Sequence, residues 1–303
     1  MRERSEGQVE AGEVYSHSRL SSFETCPRKF QYRYLWKIPA EGESIEGFVG
    51  KRVHEVLERL YRFCEEHDAP PLPKVVWRFQ QMFAEAYDAT RVRIAREGTP
   101  LDFYRALGEQ CVRNYYDEHY PFDRDETLAL EERVSFDIGD GYAVQGFIDR
   151  IARSRDGAIE IQDYKTSARL PSQTDVDEDR QLALYQIGVG ARFGTDRPVR
   201  LVWRYLRQRR TLVSTRTPEQ LAELAARTRA LIDEIRSETT FEARPSALCR
   251  WCEFREGCPA SPERRADRPE YAPRASFAQR AAGERRPADA RRLEPPAQLA
   301  LFA

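Results

Sequence analysis

The sequence predicts a mixed α/β fold in which a central β-sheet is flanked by helices and the N-terminal part is helical. Three observations predict it. Apolar residues recur at helical spacing through the first 120 positions or so. Three runs between 128 and 165 then have strand character and are joined by hairpin-type turns. Helical and strand patterns alternate again up to residue 237.

Each element follows from local chemistry. Residues 1–15 are polar and read as a flexible tail. "YSHSRLSSFETCPRKFQYRYLW" follows, with serines suited to cap a helix. In "GKRVHEVLERLYRFCEEH", Val53, Val56, Leu57, Leu60, Tyr61 and Cys64 fall at helical spacing. Two or three further helices fit between Trp77 and Tyr120. "LALEERVSFDI", "GYAVQGFIDRIAR" and "AIEIQDYK" read as strands, with "GDG" and "SRDG" as the turns between them. "EDRQLALYQIGVGARFG" returns to helix, and "VRLVWRYL" and "TLVSTRT" form another strand pair. "TPEQLAELAARTRALIDEIRS" starts a helix with Thr217 as N-cap, Pro218 in the first turn and Gln220 closing a capping box. Residues 261–303 are rich in Ala, Arg, Glu and Pro and read as a disordered tail. One folded domain is therefore expected over 16–260.

Composition narrows the function. The 303 residues carry a formal net charge of −1, so any nucleic-acid contact must come from local basic patches. "CPRKFQYRYLWK" and "RYLRQRR" are such patches. Their aromatic residues either stack on single-stranded bases or belong to the core beneath a charged face. No apolar run reaches about 18 residues, and the N-terminus lacks the apolar stretch of a signal peptide. An intracellular protein with no membrane contact is expected. Clustered cysteines in that compartment favour a metal site over disulfides.

"CRWCEFREGC" brings Cys249, Cys252 and Cys258 together at ligand spacing. Of the other three cysteines, Cys64 and Cys111 lie on apolar helical stripes and read as core residues. Cys26, followed by a proline at a helix edge, is the candidate fourth ligand. Joining it to Cys249 closes a loop across 223 positions (249 − 26). By chain-entropy logic such a staple stabilises by about 4–5 kcal/mol. Four thiolates hold either a zinc ion or an iron–sulfur cluster.

"GFIDRIARSRDGAIEIQDYKTS" carries the catalytic signal. Asp163 and Lys165 are two apart on one strand and share a face, and Asp149 ends the neighbouring strand. Two carboxylates beside a lysine suit Mg²⁺ or Mn²⁺ and phosphoester chemistry.

The order of these motifs resembles the RecB-like branch of the PD-(D/E)xK nuclease superfamily. "GKRVH", "GFIDRI", "IEIQDYKTS" and "QLALY" match its motifs in sequence, and "SSFETCPRKFQYRY" with "CRWCEFREGC" resembles its iron-staple arrangement. AddB-type and CRISPR-associated RecB-like nuclease domains share that arrangement. The resemblance implies a restriction-endonuclease-like core and a metal-dependent DNA nuclease of exonuclease type, acting in repair or recombination. It implies that His54, Asp149, Asp163 and the Tyr164 carbonyl bind Mg²⁺ or Mn²⁺. Lys165 would be the catalytic lysine, with Gln181 and Tyr185 positioning it or the DNA backbone. Cys26, Cys249, Cys252 and Cys258 would hold a structural [4Fe–4S] cluster, with structural Zn²⁺ as the alternative. DNA with single-stranded character is the implied substrate. A non-catalytic DNA-binding or scaffolding protein is the other reading, and the complete Asp–Asp–Lys set favours the enzyme.

The last residues, "AQLALFA", resemble the clamp-binding peptide of bacterial replication and repair proteins. Gln298, Leu299, Leu301 and Phe302 would enter a groove on the sliding clamp. A cytoplasmic, nucleoid-associated bacterial protein is the expectation that follows.

Overall fold

The computed structural model describes residues 13–40, 42–194 and 197–260. Most of the expected N-terminal tail, and the whole C-terminal segment with its clamp-like peptide, lie outside the described residues. The folded chain begins before the expected boundary at 16, because Tyr15 is 1% exposed and pairs with the sheet.

In chain order the elements are β1 (Tyr15–Ser16), α1 (His17–Thr25), α2 (Pro27–Phe30), β2 (Glu43–Ser44), α3 (Ile45–Cys64), α4 (Leu72–Ala86), β3 (Val92–Arg93) and α5 (Leu101–His119). Then come β4 (Glu126–Asp137), β5 (Ala143–Arg153), β6 (Ile159–Lys165), α6 (Gln173–Asp177), α7 (Arg180–Phe193), β7 (Val199–Tyr205), β8 (Arg210–Ser214) and α8 (Pro218–Ser237). A π-helical segment, Gln31–Leu35, continues α2. Two 3₁₀ turns, Ala247–Trp251 and Arg255–Gly257, carry the C-terminal cysteine region.

The helix starts are set by caps. The Ser16 side chain accepts from the Arg19 N–H, Ser44 from Gly47 and Asp179 from Gln181. Thr217 and Gln220 form the expected capping box, with Pro218 in the first turn.

The main sheet has six strands and is mixed. β4–β5, β5–β6 and β7–β8 are antiparallel, whereas β6–β7 is parallel through the α6–α7 crossover. β4 lines one edge of β5, and β6 and β1 share the other. β6 pairs with β5 residues 150–153, and β1 pairs in parallel with Val144 and Gln145.

Both faces of the sheet are covered. α1, α7 and α8 close one core around Val144, Ile148, Ile161, Leu184, Trp203 and Ile232. α3, α4 and α5 close the other around Val53, Leu57, Phe79 and Tyr115, to which the sheet contributes Leu130 and Tyr164. The expected central sheet flanked by helices is thus present. Among the described residues, no helix is long and apolar enough to cross a membrane.

Candidate active site

The site is built on a fork in the sheet. β5 and β6 are paired from Arg153↔Ile159 only as far as Arg150↔Gln162. Beyond that pair they separate, with Asp149 on one prong and Asp163 on the other. The Asp149 carboxylate bridges the gap, its Oδ2 accepting from the Tyr164 N–H at 2.7 Å.

The fork is held from below. Arg150, 1% exposed, lies over the Tyr61 ring at 4.1 Å and donates to Thr127 Oγ1 at 3.0 Å. Hydroxyl contacts then run from Tyr61 to Tyr115 (2.7 Å) and from Tyr115 to Tyr164 (3.2 Å). A buried guanidinium is tolerated here because these rings and polar atoms replace its water.

α3 brings His54 to the fork. Its Nε2 lies 2.8 Å from the Tyr164 carbonyl oxygen and its Nδ1 3.3 Å from Asp149 Oδ1. A third donor joins them from β4. The register brackets Glu131 opposite Asp149, between the pairs Leu130↔Arg150 and Glu132↔Ile148. Glu131 has φ +46°, a local departure from strand geometry that takes it out of the ladder. Ligand atoms of His54, Glu131 and Asp149 all lie within 4.8 Å of one another.

Asp163 stands outside that trio and serves the lysine. Lys165 Nζ is 2.6 Å from Asp163 Oδ2 and donates to Gln181 Oε1 at 3.1 Å. Gln181 Nε2 donates back to Asp163 Oδ1 at 3.1 Å, closing a three-residue ring. Gln181 can do this because it sits in the first turn of α7, aimed at the fork. Tyr185 lies one turn later on α7, 5% exposed, with its ring against the backbone of Gly146.

Charge is concentrated here. Burial pushes the Asp163 carboxyl up to about 6, with Lys165 offsetting and Asp149 adding to the rise. Burial and the neighbouring Asp149 push Glu131 up to about 7. Burial disfavours the charged form of His54, yet Asp149, Asp163 and Glu131 outweigh it and hold the ring up at about 9. Burial likewise opposes the Lys165 charge, and Asp163 reverses the sign and raises it. A protonated His54 ring is placed to donate to both Asp149 and the Tyr164 carbonyl.

A protein-family model described as the PD-(D/E)XK nuclease superfamily matches residues 14–259. The chain belongs to the PD-(D/E)XK nuclease superfamily. Its mixed sheet flanked by helices is the restriction-endonuclease-like core of that superfamily. Among solved structures, the chain is similar to "Putative exonuclease" from Eubacterium rectale, at 15% identity and TM-score 0.47, covering 94% of this chain and 100% of that one. It is also similar to SSO0001, at 15% identity and TM-score 0.37, covering 84% and 89%. No curated protein matches it.

In this PD-(D/E)XK chain, the residues expected at the catalytic centre meet at one fork: His54, Asp149, Asp163, Tyr164, Lys165, Gln181 and Tyr185. Glu131 was not anticipated from the sequence. A signal for it exists in the hairpin. Asp140 centres the "GDG" turn, and reflection through it carries Asp149, nine positions on, to Glu131, nine positions back.

The four expected cysteine ligands, Cys26, Cys249, Cys252 and Cys258, line one cavity of about 270 Å³. Among the described residues, no three cysteine sulfurs lie within 4.8 Å of one another. Backbone N–H groups point at two of the sulfurs, from Arg244 to Cys26 at 3.5 Å and from Ser246 to Cys249 at 3.4 Å. Cys111 is fully buried, and Cys64 packs at the edge of the α3–α5 core.

The two basic, aromatic stretches resolve toward the core reading. Phe30, Tyr32 and Tyr205 are buried, and Lys29 and Arg33 pair with Glu253 at 3.1 and 2.8 Å. Those three buried rings are therefore not free to stack on bases, whereas Tyr34 and Trp36 are half-buried. The first stretch instead fastens the N-terminal helices to the cysteine region.

Proposed function

We propose that this chain is a Mg²⁺- or Mn²⁺-dependent deoxyribonuclease of RecB-like, exonuclease type, acting in DNA repair or recombination. The observation that carries the reading is the convergence of His54, Glu131, Asp149 and the Tyr164 carbonyl beside the Asp163–Lys165–Gln181 ring. One imidazole among hard oxygen donors suits Mg²⁺ or Mn²⁺. His54, Glu131, Asp149 and the Tyr164 carbonyl would hold the ion, and Asp163 would join them from the other prong by sharing its carboxylate between the ion and Lys165. An ion held by these residues would supply Lewis-acid polarisation of a phosphate oxygen and activation of a water.

The chain's own groups do the rest. His54 gives up a proton before its nitrogen can ligate. Lys165, charged and aimed by Asp163 and Gln181, donates to the phosphate oxygen on which negative charge develops. The Gln181 amide keeps the lysine in one rotamer, and Tyr185 supports that helix turn from behind. The test is cleavage of labelled single- and double-stranded DNA with Mn²⁺. Wild type should cut, and folded Asp149→Ala, Asp163→Ala and Lys165→Ala proteins should not. Near wild-type cutting by Asp163→Ala or Lys165→Ala removes the assignment.

We read the four-cysteine cavity as the holder of a structural [4Fe–4S] cluster in preference to zinc. The cavity between the thiols and the N–H groups directed at two of the sulfurs support that reading. Protein prepared anaerobically should carry about four irons per chain, and one zinc per chain would overturn the cluster type.

The clamp-like peptide at 298–302 is a further proposed contact. A peptide of residues 290–303 should bind purified sliding clamp, and Leu301→Ala with Phe302→Ala should abolish that binding.

A further inference from the structure

The face of the sheet that carries Glu131 and Asp149 does not end at them. Past Glu131, where the pleat is interrupted, Arg133 and Ser135 on β4 and Phe147 and Gln145 on β5 alternate with the residues of the α7–α8 core and so share the face turned away from it. Arg133 is directly opposite Phe147, and Ser135 opposite Gln145. Ser16 of β1 extends the same row beside Gln145. The alternate residues, Val134, Phe136, Val144 and Ile148, are buried in the core under α7 and α8. The Arg133–Phe147 side carries no such cover: Phe147 is 58% exposed, and Arg133 and Ser135 are exposed. Arg133 donates to Gln145 at 2.8 Å and forms no ion pair among the described residues.

A large ring in water on a strand face needs a reason, because a polar residue there would cost nothing. Trp77, Phe103 and Tyr120 are exposed too, but they belong to the α4–α5 part of the chain, and the exposed Trp251 lines the cysteine cavity. Phe147 is two residues from Asp149, about 7 Å along the strand at 3.4 Å per residue. Its partner across the ladder is an unneutralised guanidinium. An aromatic ring with a cation beside it, next to carboxylates that would hold a metal, matches one ligand chemistry: an unpaired base with its phosphate. A base inside a duplex has both faces covered by its neighbours and offers none to Phe147.

We infer that the strip Phe147–Arg133–Gln145 is the entry platform for single-stranded nucleic acid, with Phe147 stacking the base next to the scissile phosphate and Arg133 holding its backbone. The inference rests on the nuclease reading above and adds to it the form of the substrate and a positioning residue. Phe147 is not one of the proposed metal donors and takes no part in the chemistry.

Binding without cleavage separates the two readings. In EDTA, the full-length Phe147→Trp protein is titrated with a short poly-dT oligonucleotide, with wild type as the blank for the native tryptophans. Stacking should quench the added fluorescence. Phe147→Ala should weaken single-strand binding about 5- to 150-fold, the range for one base–aromatic stack, and Phe147→Tyr should restore it. In cleavage assays the KM increase of Phe147→Ala should exceed any fall in kcat, and an abasic nucleotide beside the scissile bond should erase the difference from wild type. Trp77→Ala should change none of these. Equal binding by wild type and Phe147→Ala, or no quenching of Phe147→Trp, overturns the platform even if the protein cuts DNA. Quenching and weakened binding in a protein that cuts nothing would leave the platform standing and remove the nuclease reading.

Discussion

At the scale of single residues, the site crowds buried carboxyls whose charged forms burial disfavours against a histidine and a lysine whose charged forms they favour. Glu131 has its carboxyl raised to about 7 by burial and by Asp149. An acid raised in the folded state loses its favourable contribution as pH climbs through that value. Metal-free Glu131→Gln should therefore melt a few degrees higher than wild type at pH 8 and show no gain at pH 4, as read by calorimetry. The same substitution should weaken Mn²⁺ binding at least about tenfold. His54 gives the complementary sign. Its ring is raised to about 9, so below that pH cation binding must expel a proton. Mn²⁺ affinity should rise from pH 6 to pH 9, and calorimetry in buffers of different ionisation heat should find proton release on binding at pH 7. In His54→Gln that imidazole contribution to the release should disappear.

At the scale of elements, close approach and capping carry the consequences. β5 and α7 touch where Gly146 meets the Tyr185 ring, and a Cβ at 146 would overlap that ring. Gly146→Ala should push Tyr185, and with it the Gln181 turn, away from Lys165. The expected result is a lower melting temperature together with loss of cutting, with Tyr185→Ala in the same background recovering part of the stability. α8 offers a test remote from the chemistry. Thr217→Ala removes one half of its capping box and should cost about 1 kcal/mol without altering cleavage by the folded protein. Capping, hairpin and periodicity signals made these elements readable in advance. β1, β2 and β3 were not, since two residues carry no period; β1 exists because Tyr15 finds a core and an unpaired edge of β5.

At the scale of the whole molecule, the two ends of the described chain are clamped together around the cysteine cavity. Phe30 stacks on Phe241 at 6.1 Å, Tyr32 meets Phe254 edge-on at 5.6 Å, and Arg93 donates to the Cys252 carbonyl at 3.0 Å. A bound cluster would add covalent strength to that closure. Cys26→Ser should therefore lower iron content and melting temperature as much as Cys249→Ser does, although the two are 223 positions apart. Cys64→Ser and Cys111→Ser should leave iron per chain unchanged, since neither lines the cavity. The destabilisation of Cys111→Ser, from a hydroxyl in a fully buried site, should appear only in the melting curve.

The sequence by itself determined what depends on neighbours within a few positions. The periodic faces of α3 and α8, the caps at Ser16, Ser44 and Thr217, and the β4–β5–β6 hairpins are local, because propensity, capping and turn chemistry act over one or two turns of chain. The motif residues Asp149, Asp163 and Lys165 were legible for the same reason, although Asp149 lies inside β5, four residues before its end, and not at the strand end the sequence suggested, because β5 runs on past the fork to pair with β6. Tertiary structure alone decided the rest. The β5–β6 fork, the division of labour between the His54–Glu131–Asp149 trio and the Asp163–Lys165–Gln181 ring, and the burial of Phe30 and Tyr32 arise from contacts between distant segments. Burial and electrostatic coupling depend on what packs overhead. No spacing in the chain encodes that Phe147 would remain uncovered while its neighbour Ile148 is sealed in the core.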